Sequence, residues 1–387
     1  MTADLRVGID ASFHLFGGSA THLSRLLREW GGQGVRHRFI IFSAPRNVEL
    51  LRPLLRPEDE LRVLDTLATG RGRRVAWFHG VYPRLLARER LDVMLYAGGY
   101  LPYVASTDPS VVIFRNAGPF CDGLGPRRLG WKMWGSFRLL EFFMRRSARL
   151  ATRVIFPSRY LQSLFESRVG LAPSGSIVLY HGREGVRGTT ENRVTDTASP
   201  AGGRPYLLYV SHLYPYKNVL ELIDAFALEP RLREHDRALV IAGGAPHRGY
   251  HRAIVERISR HRLADHIVLT GGVPQDRVSA LIAGCELFVF PSLCENCPNA
   301  LIEAMARGRP IAASNRASIP EICGPAAVYF DPEDPASIAS SVLEVLDDPA
   351  ALAGLETRAR ARAGQFPSWA EVARQTMDQI ELAADRA

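Results

Sequence analysis

LFVFPSLCENCPNALIEAMARG, residues 287–308, is the stretch that sets the fold class. LFVF is a short continuous apolar run of the kind that a strand buried on both faces of a parallel sheet requires. The residues after it are polar or turn-forming. Pro298 suits the first turn of a helix, where its missing N–H costs nothing, and Gly308 suits the end of that helix. A strand, loop and helix in this order make a natural diphosphate site, because an anion at the helix start meets unpaired N–H groups and the positive end of the helix dipole. Two carboxylates stand in the unit: Glu295 in the loop and Glu303 about one and a half turns into the helix.

Outward from this stretch the same pattern recurs. Residues 5–10, 39–42, 93–96, 111–114, 154–156 and 177–179 read as short buried strands separated by segments long enough for helices. After residue 205 the pattern restarts at 206–210, 239–241, 267–270, 287–290 and 311–313, with helical segments such as 219–226 and 253–260 between strands. Between them, REGVRGTTENRVTDTASPAGGRP loses apolar periodicity and collects Gly, Thr, Pro and charge, as an interdomain linker does. The expected division is a first α/β domain over 1–182, a linker over 183–204 and a second α/β domain over 205–368, each with a parallel sheet of Rossmann-like type. Two such domains place a cleft where the carboxyl ends of both sheets face each other. Segments 336–346 and 369–383 read as terminal helices.

Composition fits this reading. The 387 residues are 47% hydrophobic and 23% charged, as in globular protein. There is no apolar run long enough for a membrane span and no signal-peptide pattern at the start, so a cytoplasmic chain is expected. Five cysteines at uneven spacing argue against a disulfide framework and for reduced thiols. Charge is uneven: residues 1–182 carry 26 Lys+Arg against 14 Asp+Glu, and the remainder 22 against 26. Among the basic residues only Lys132 and Lys217 are lysine.

That scarcity singles out Lys217. It follows His212 in VSHLYPYKN, in the loop after the first strand of the second domain, where a compact ammonium can neutralise phosphate oxygens. An ordinary solvated lysine is the plain alternative, and His212 alone is weak evidence. Glu303 can accept two ribose hydroxyls and Glu295 those of a sugar, against the plain reading of two surface acids. Small Ala300 after Pro298 and Asn299 leaves backbone exposed where phosphate belongs. Near the N-terminus Gly17 and Gly18 follow the first strand and allow close approach of a ligand, or make a simple turn; His14 and His22 can equally be structural. Arg115 and Asn116 follow the apolar strand VVIF, placing an anion-binding or sugar-binding pair, or a loop hydrogen bond, at the sheet edge.

Cys294 and Cys297 form a CxxC without a second ligand pair, so neither zinc nor thiol redox chemistry is expected. No Asp-x-Asp occurs, hence no metal or other cofactor is expected on the diphosphate. The stretch 127–153 interleaves aromatic with basic residues in an expected helix. Its plain reading is a core helix with a basic outer face; the other is an interfacial helix on an anionic membrane.

Taken together, the chain resembles the retaining nucleotide-sugar glycosyltransferases of family 4, which have the GT-B fold. The resemblance rests on FPSLCENCPNALIEAMARGRPIAAS, with Glu295 and Glu303 as the family's Glu-x7-Glu pair, on YKN around Lys217, on Gly17 and Gly18, and on SIPEI at 318–322. It implies that Glu303 binds ribose, that Glu295 lies by the donor sugar, that backbone of Asn299, Ala300 and Leu301 meets sugar and diphosphate, and that Lys217 holds the diphosphate. It also implies that the last helix, 369–387, returns to the first domain. Two departures stand out: the family often has arginine where His212 stands, and histidine where Arg115 and Asn116 stand.

The expected function is therefore metal-independent sugar transfer, with retention, from a nucleotide diphosphate-sugar, in glycan, cell-surface polysaccharide or glycosylated-metabolite synthesis. Nucleic acid is not an expected partner. The basic first domain suggests an acceptor that is anionic or lipid-linked, with peripheral contact on the inner membrane face. The competing expectations are an epimerase or phosphorylase of the same fold, and a nucleotide-sugar-binding protein without catalysis.

Overall fold

The computed structural model describes residues 4–13, 15, 17–64, 71–104, 109–170, 175–184 and 200–385. It divides into two compact units. The first comprises Met1–Asp122, Trp131–Gly182 and Pro367–Ala387, and the second Gly123–Gly130 and Arg183–Phe366. The short segment 123–130 thus departs from the division at residue 182. Most of the expected linker, 185–199, and His14 lie outside the described residues.

The first unit has a seven-stranded parallel sheet in the order β3-β2-β1-β4-β5-β6-β7. Its strands are β1 (Arg6–Ala11), β2 (Arg38–Ser43), β3 (Glu60–Val63), β4 (Val93–Tyr96), β5 (Ser110–Ile113), β6 (Arg153–Phe156) and β7 (Ser176–Val178). The longer helices are α1 (Gly18–Gly32), α2 (Arg71–Gly80), α3 (Trp131–Leu150) and α4 (Arg159–Val169). β1 pairs with β2 through Ile9 and Ile41 and with β4 through Ile9 and Leu95, so the order of the chain reverses across the β1–β4 boundary. Val7 and Ile9 of β1 pack with Leu23, Leu26 and Trp30 of α1. Burial on both faces explains why these strands read as unbroken apolar runs.

The second unit has a six-stranded sheet, β10-β9-β8-β11-β12-β13, all parallel. These are β8 (Tyr206–Val210), β9 (Ala238–Ala242), β10 (Ile267–Gly271), β11 (Leu287–Phe290), β12 (Ile311–Ser314) and β13 (Ala327–Phe330). Helices α5 (Val219–Leu228), α6 (Arg248–Arg260), α7 (Gln275–Gly284), α8 (Asn299–Ala306), α9 (Pro335–Leu346) and α10 (Pro349–Gly364) connect and follow them. Here the order reverses between β8 and β11.

The last helix, α11 (Trp369–Ala384), belongs to the first unit. Trp369, Val372, Met377 and Ile380 enter the core built by β1 and α1, the Trp30 indole donates to Ala373 O at 2.8 Å, and Arg153 donates to Gln379 at 2.6 and 2.9 Å. His37 Nδ1 accepts from the Leu5 N–H while Nε2 meets Glu381 at 2.8 Å, which joins β1, β2 and α11.

The expected continuous helix over 127–153 is not continuous. A single helical turn, Pro126–Leu129, ends at Gly130 with φ 74°, and α3 begins afresh at Trp131. Among the described residues no helix is long and apolar enough to cross a membrane.

Candidate functional site

In the second unit the loops after β8 and β11 lie at the carboxyl ends of two adjacent strands, where the sheet order reverses and open α/β sheets bind ligands. The loop after β8 ends in a 3-10 turn, Pro215–Lys217, followed by Asn218 in the left-handed region (φ 60°, ψ 33°), from which α5 starts. Asparagine tolerates that conformation better than most residues. Its amide is fixed on both sides: Nδ2 donates to Pro332 O, and Oδ1 accepts from Arg128 at 2.9 Å. Arg128, on the turn 126–129, also reaches Glu333 at 3.0 Å. The Tyr250 hydroxyl accepts the first N–H of α5, from Val219, at 2.8 Å.

This framework holds Lys217 in a fixed direction. Its ammonium lies 2.5 Å from Glu295 Oε1, with side chains 11% and 10% exposed. It also sits over the rings of Tyr216, 5.5 Å away, and Phe290, 5.9 Å away. The two loops are tied by the Leu293 N–H, which donates to Tyr216 O at 2.9 Å. Lys217 and Glu295, distant in sequence, are thus brought together as an ion pair.

α8 starts one residue later than Pro298, which takes the position just before the helix. Pro298 O accepts from the N–H of Leu301 at 3.1 Å and of Ile302 at 3.4 Å, so two N–H groups of the first turn are engaged within the chain. The Leu301 side chain is in the core, while Asn299 and Ala300 are half-buried at the helix start. Glu303 is nearly buried, and both of its carboxylate oxygens accept from Gln275 Nε2, at 3.1 and 3.0 Å. Nothing in the sequence around Gln275 announces that role.

His212 lies at the start of the same loop, two residues past β8. The neighbouring Leu213 N–H donates to Gly244 O at 2.9 Å. Gly243 (φ 155°) makes this approach of β9 to β8 possible, because a Cβ there would stand 1.9 Å from Ser211 O. Burial, and to a lesser extent Lys217, pull the imidazole pKa of His212 down, against a backbone hydrogen bond with Gly244 that raises it. The ring is therefore neutral at pH 7.

Cys285, Cys297 and Cys323 are buried and outside any disulfide, as expected. Cys121 and Cys294 are not reduced thiols, contrary to the expectation of reduced thiols throughout. Among the described residues no group of three or more His, Cys, Asp or Glu is arranged to hold a metal ion.

In the first unit Gly17 (φ 50°, ψ −134°) precedes α1 and Gly18 begins it, with open space where a Cβ of Gly18 would point. Arg115, just past β5, is half-buried and donates to Ala97 O at 3.4 Å. Burial pushes its guanidinium pKa down to about 10. Asn116 Oδ1 accepts from the Gly118 N–H at 2.9 Å, which is the loop hydrogen bond that served as its plain reading. Sequence reasoning missed Asp10 at the carboxyl end of β1. It accepts from Ser12 N–H and from Tyr82 OH, both at 3.2 Å, and burial raises its pKa to about 6.

Comparison with known proteins matches each half of the chain. The model of glycosyl transferases group 1 matches residues 195–363, and that of glycosyltransferase family 4 matches residues 16–184. O-antigen chain mannosyltransferase B of Escherichia coli is 31% identical over 178 residues, 46% of this chain and 46% of the relative. The chain thus spans just under half the length of that relative. The GDP-mannose-dependent alpha-(1-6)-phosphatidylinositol monomannoside mannosyltransferase of Mycolicibacterium smegmatis is 30% identical over 269 residues, 63% of this chain and 67% of the relative. In fold, the chain is similar to Anabaena Alr3699/HepE, whose structure was solved with UDP and glucose, at a TM-score of 0.74 and 18% identity, covering 98% of this chain and all of that one.

Proposed function

Because the chain belongs to glycosyltransferase family 4, with two Rossmann-like units of GT-B type, we propose that it moves a sugar from a nucleotide diphosphate-sugar to an acceptor hydroxyl with retention at the anomeric carbon. The observation that carries this reading is the Lys217–Glu295 pair at the reversal point of the second sheet, in the loop that leads into α8. Without donor the two charges neutralise each other. A diphosphate arriving there takes over the ammonium, and Glu295 is released to accept hydroxyls of the sugar. Glu303 accepts the ribose hydroxyls.

In the transfer, the bond from the anomeric carbon to the diphosphate oxygen breaks and a bond to the acceptor oxygen forms on the same face. The departing phosphate takes the acceptor proton, and no side chain serves as a covalent nucleophile. Lys217 and the α8 dipole stabilise the charge that develops on the leaving oxygen. We assign that task to them rather than to a protein-held metal, a view supported by the lack of Asp-x-Asp in the sequence. The excess of positive charge over residues 1–182 supports an anionic or lipid-linked acceptor, as in synthesis of a cell-surface glycan.

Since two similar proteins are named mannosyltransferases, GDP-mannose heads the donor panel, with UDP-glucose beside it. The test is a thermal-shift screen of nucleotide-sugars, followed by product analysis with and without acceptor and with chelator. Transfer to an acceptor with unchanged anomeric configuration supports the proposal. An altered free nucleotide-sugar, a sugar phosphate, or donor binding with no turnover on any acceptor overturns it.

A further inference from the structure

Most of the surface of α3 is uncovered. Of its 20 residues only Glu141, Met144, Ser147 and Ala148 are buried. Facing outward are Trp131 (75% exposed), Phe142 (52%), Leu139 (51%) and Leu150 (47%). At about 100° per residue these four fall within an arc of about 100°, one stripe along a rod of about 30 Å. Beside the stripe the loop after β4 presents Tyr103 (56% exposed) and Val104 (55%). Arg146 joins the two surfaces, stacking 5.0 Å over the Tyr103 ring and donating to Pro102 O at 3.0 Å.

The charge on this face has one sign. Lys132, Arg138 and Arg149 are exposed on or beside the stripe. The one carboxylate of α3, Glu141, is turned inward and engaged by Arg138 at 2.7 Å and by Arg145 at 2.6 Å. Apolar and aromatic side chains interleaved with cations, without an outward acid, suit a surface that is apolar beneath and anionic at its rim. We propose that this face of α3, with Tyr103 and Val104, rests on an anionic phospholipid membrane, the apolar stripe entering the headgroup boundary and the cations meeting lipid phosphates. The cations around the stripe, with Glu141 turned inward, favour a surface with anionic headgroups over the apolar groove of a protein partner. The inference stands apart from the sugar-transfer reading, because it uses none of the site residues.

The test is co-sedimentation of the full chain with vesicles of phosphatidylglycerol and phosphatidylcholine, against phosphatidylcholine alone, at low and high salt, without donor or acceptor. The expected result is binding to the anionic vesicles that weakens with salt, and that falls about tenfold or more in a Leu139→Ser, Phe142→Ser variant. Both positions are exposed, so the variant should keep the thermal midpoint of the parent. Failure of the parent chain to bind anionic vesicles, or unchanged binding by the folded variant, overturns the proposal. So does concentration-dependent self-association on size exclusion that the two substitutions abolish, which would make the stripe a contact between copies.

Discussion

The ammonium of Lys217 and the carboxylate of Glu295 form a 2.5 Å ion pair in which each side chain is about nine-tenths covered. Removing one partner leaves the other charge desolvated, which costs roughly 3–5 kcal/mol at a buried pair. Lys217→Ala is therefore expected to lower stability to urea and to cut turnover about 100-fold or more, through loss of leaving-group stabilisation. Glu295→Gln keeps the shape and loses less stability. Wild-type turnover by a folded Lys217→Ala protein would contradict the assigned role.

Glu303 should matter for donor affinity more than for the chemical step. A hydrogen bond to a charged group contributes about 1.5–3 kcal/mol, so Glu303→Ala is expected to raise donor KM by about 10-fold to 150-fold with a smaller effect on kcat. Titration calorimetry with a nucleoside diphosphate and its deoxyribose analogue tests the contact directly. An equal loss of affinity for both nucleotides on substitution would place Glu303 away from the ribose. Gln275→Ala, which removes the hydrogen bonds from Gln275 to both oxygens of Glu303, should change KM in the same assay by only a few fold.

Arg128 lies far from Lys217 in sequence but secures the residue next to it. Its bonds to Asn218 and Glu333 fix the left-handed turn from which α5 starts. Arg128→Gln should raise donor KM by about 3-fold to 10-fold, the equivalent of one hydrogen bond. Asn218→Ala should cost more than Asn218→Gly, by about 1–2 kcal/mol in thermal unfolding, because alanine is strained at φ 60°. Equal stability of those two variants would argue that the turn relaxes.

Two buried groups in the first unit give stability opposite pH dependences. Asp10, 2% exposed, is raised from 3.8 to about 6 by burial. The folded state therefore holds its proton more tightly, and this group favours folding as pH falls from about 6 to about 4 and penalises it above 6. Asp10→Asn is expected to stabilise by up to about 3 kcal/mol at neutral pH, with the gain vanishing near pH 4. His22 is displaced well below 6.5, first by burial and then by His181 and Arg115. Its unfolded form binds the proton more readily, so stability falls as pH drops below 6.5. Urea titrations across pH 4–8 should show the acid decline of His22 more clearly in Asp10→Asn than in the parent.

Where a segment is apolar for the reason that it is buried on both faces, it could be read directly. β1, β2, β5, β8 and β11 are of this kind, and the loop and helix after β11 follow the helix-start chemistry of Pro298 and Asn299. β3 and β13 were not read: β3 (ELRV) breaks its apolar run with Glu60 and Arg62, and β13 (AVYF) is a four-residue run directly after a Gly-Pro turn, whereas β7 and β10, also at sheet edges, were legible from their apolar residues. α10, PAALAGLETRARARAG, buries only Leu355, Ala359 and Ala363, too narrow a stripe to announce itself. Lys217 stood out through scarcity, and Glu295 and Glu303 through their spacing. Gln275 and Arg128 gave no signal, since a hydrogen bond between segments far apart in sequence leaves no local pattern. Asn218 was legible in principle, as asparagine is among the few residues that accept positive φ.

The return of α11 to the first unit has a consequence in time. The core around Trp30 lacks Trp369, Val372 and Ile380 until the ribosome has made everything from residue 183 to 366. At about 5–20 residues per second that interval is on the order of ten to forty seconds. The half of the protein that is synthesised first is therefore the half that is completed last, and through that interval its open groove is exposed to chaperones or to another nascent chain.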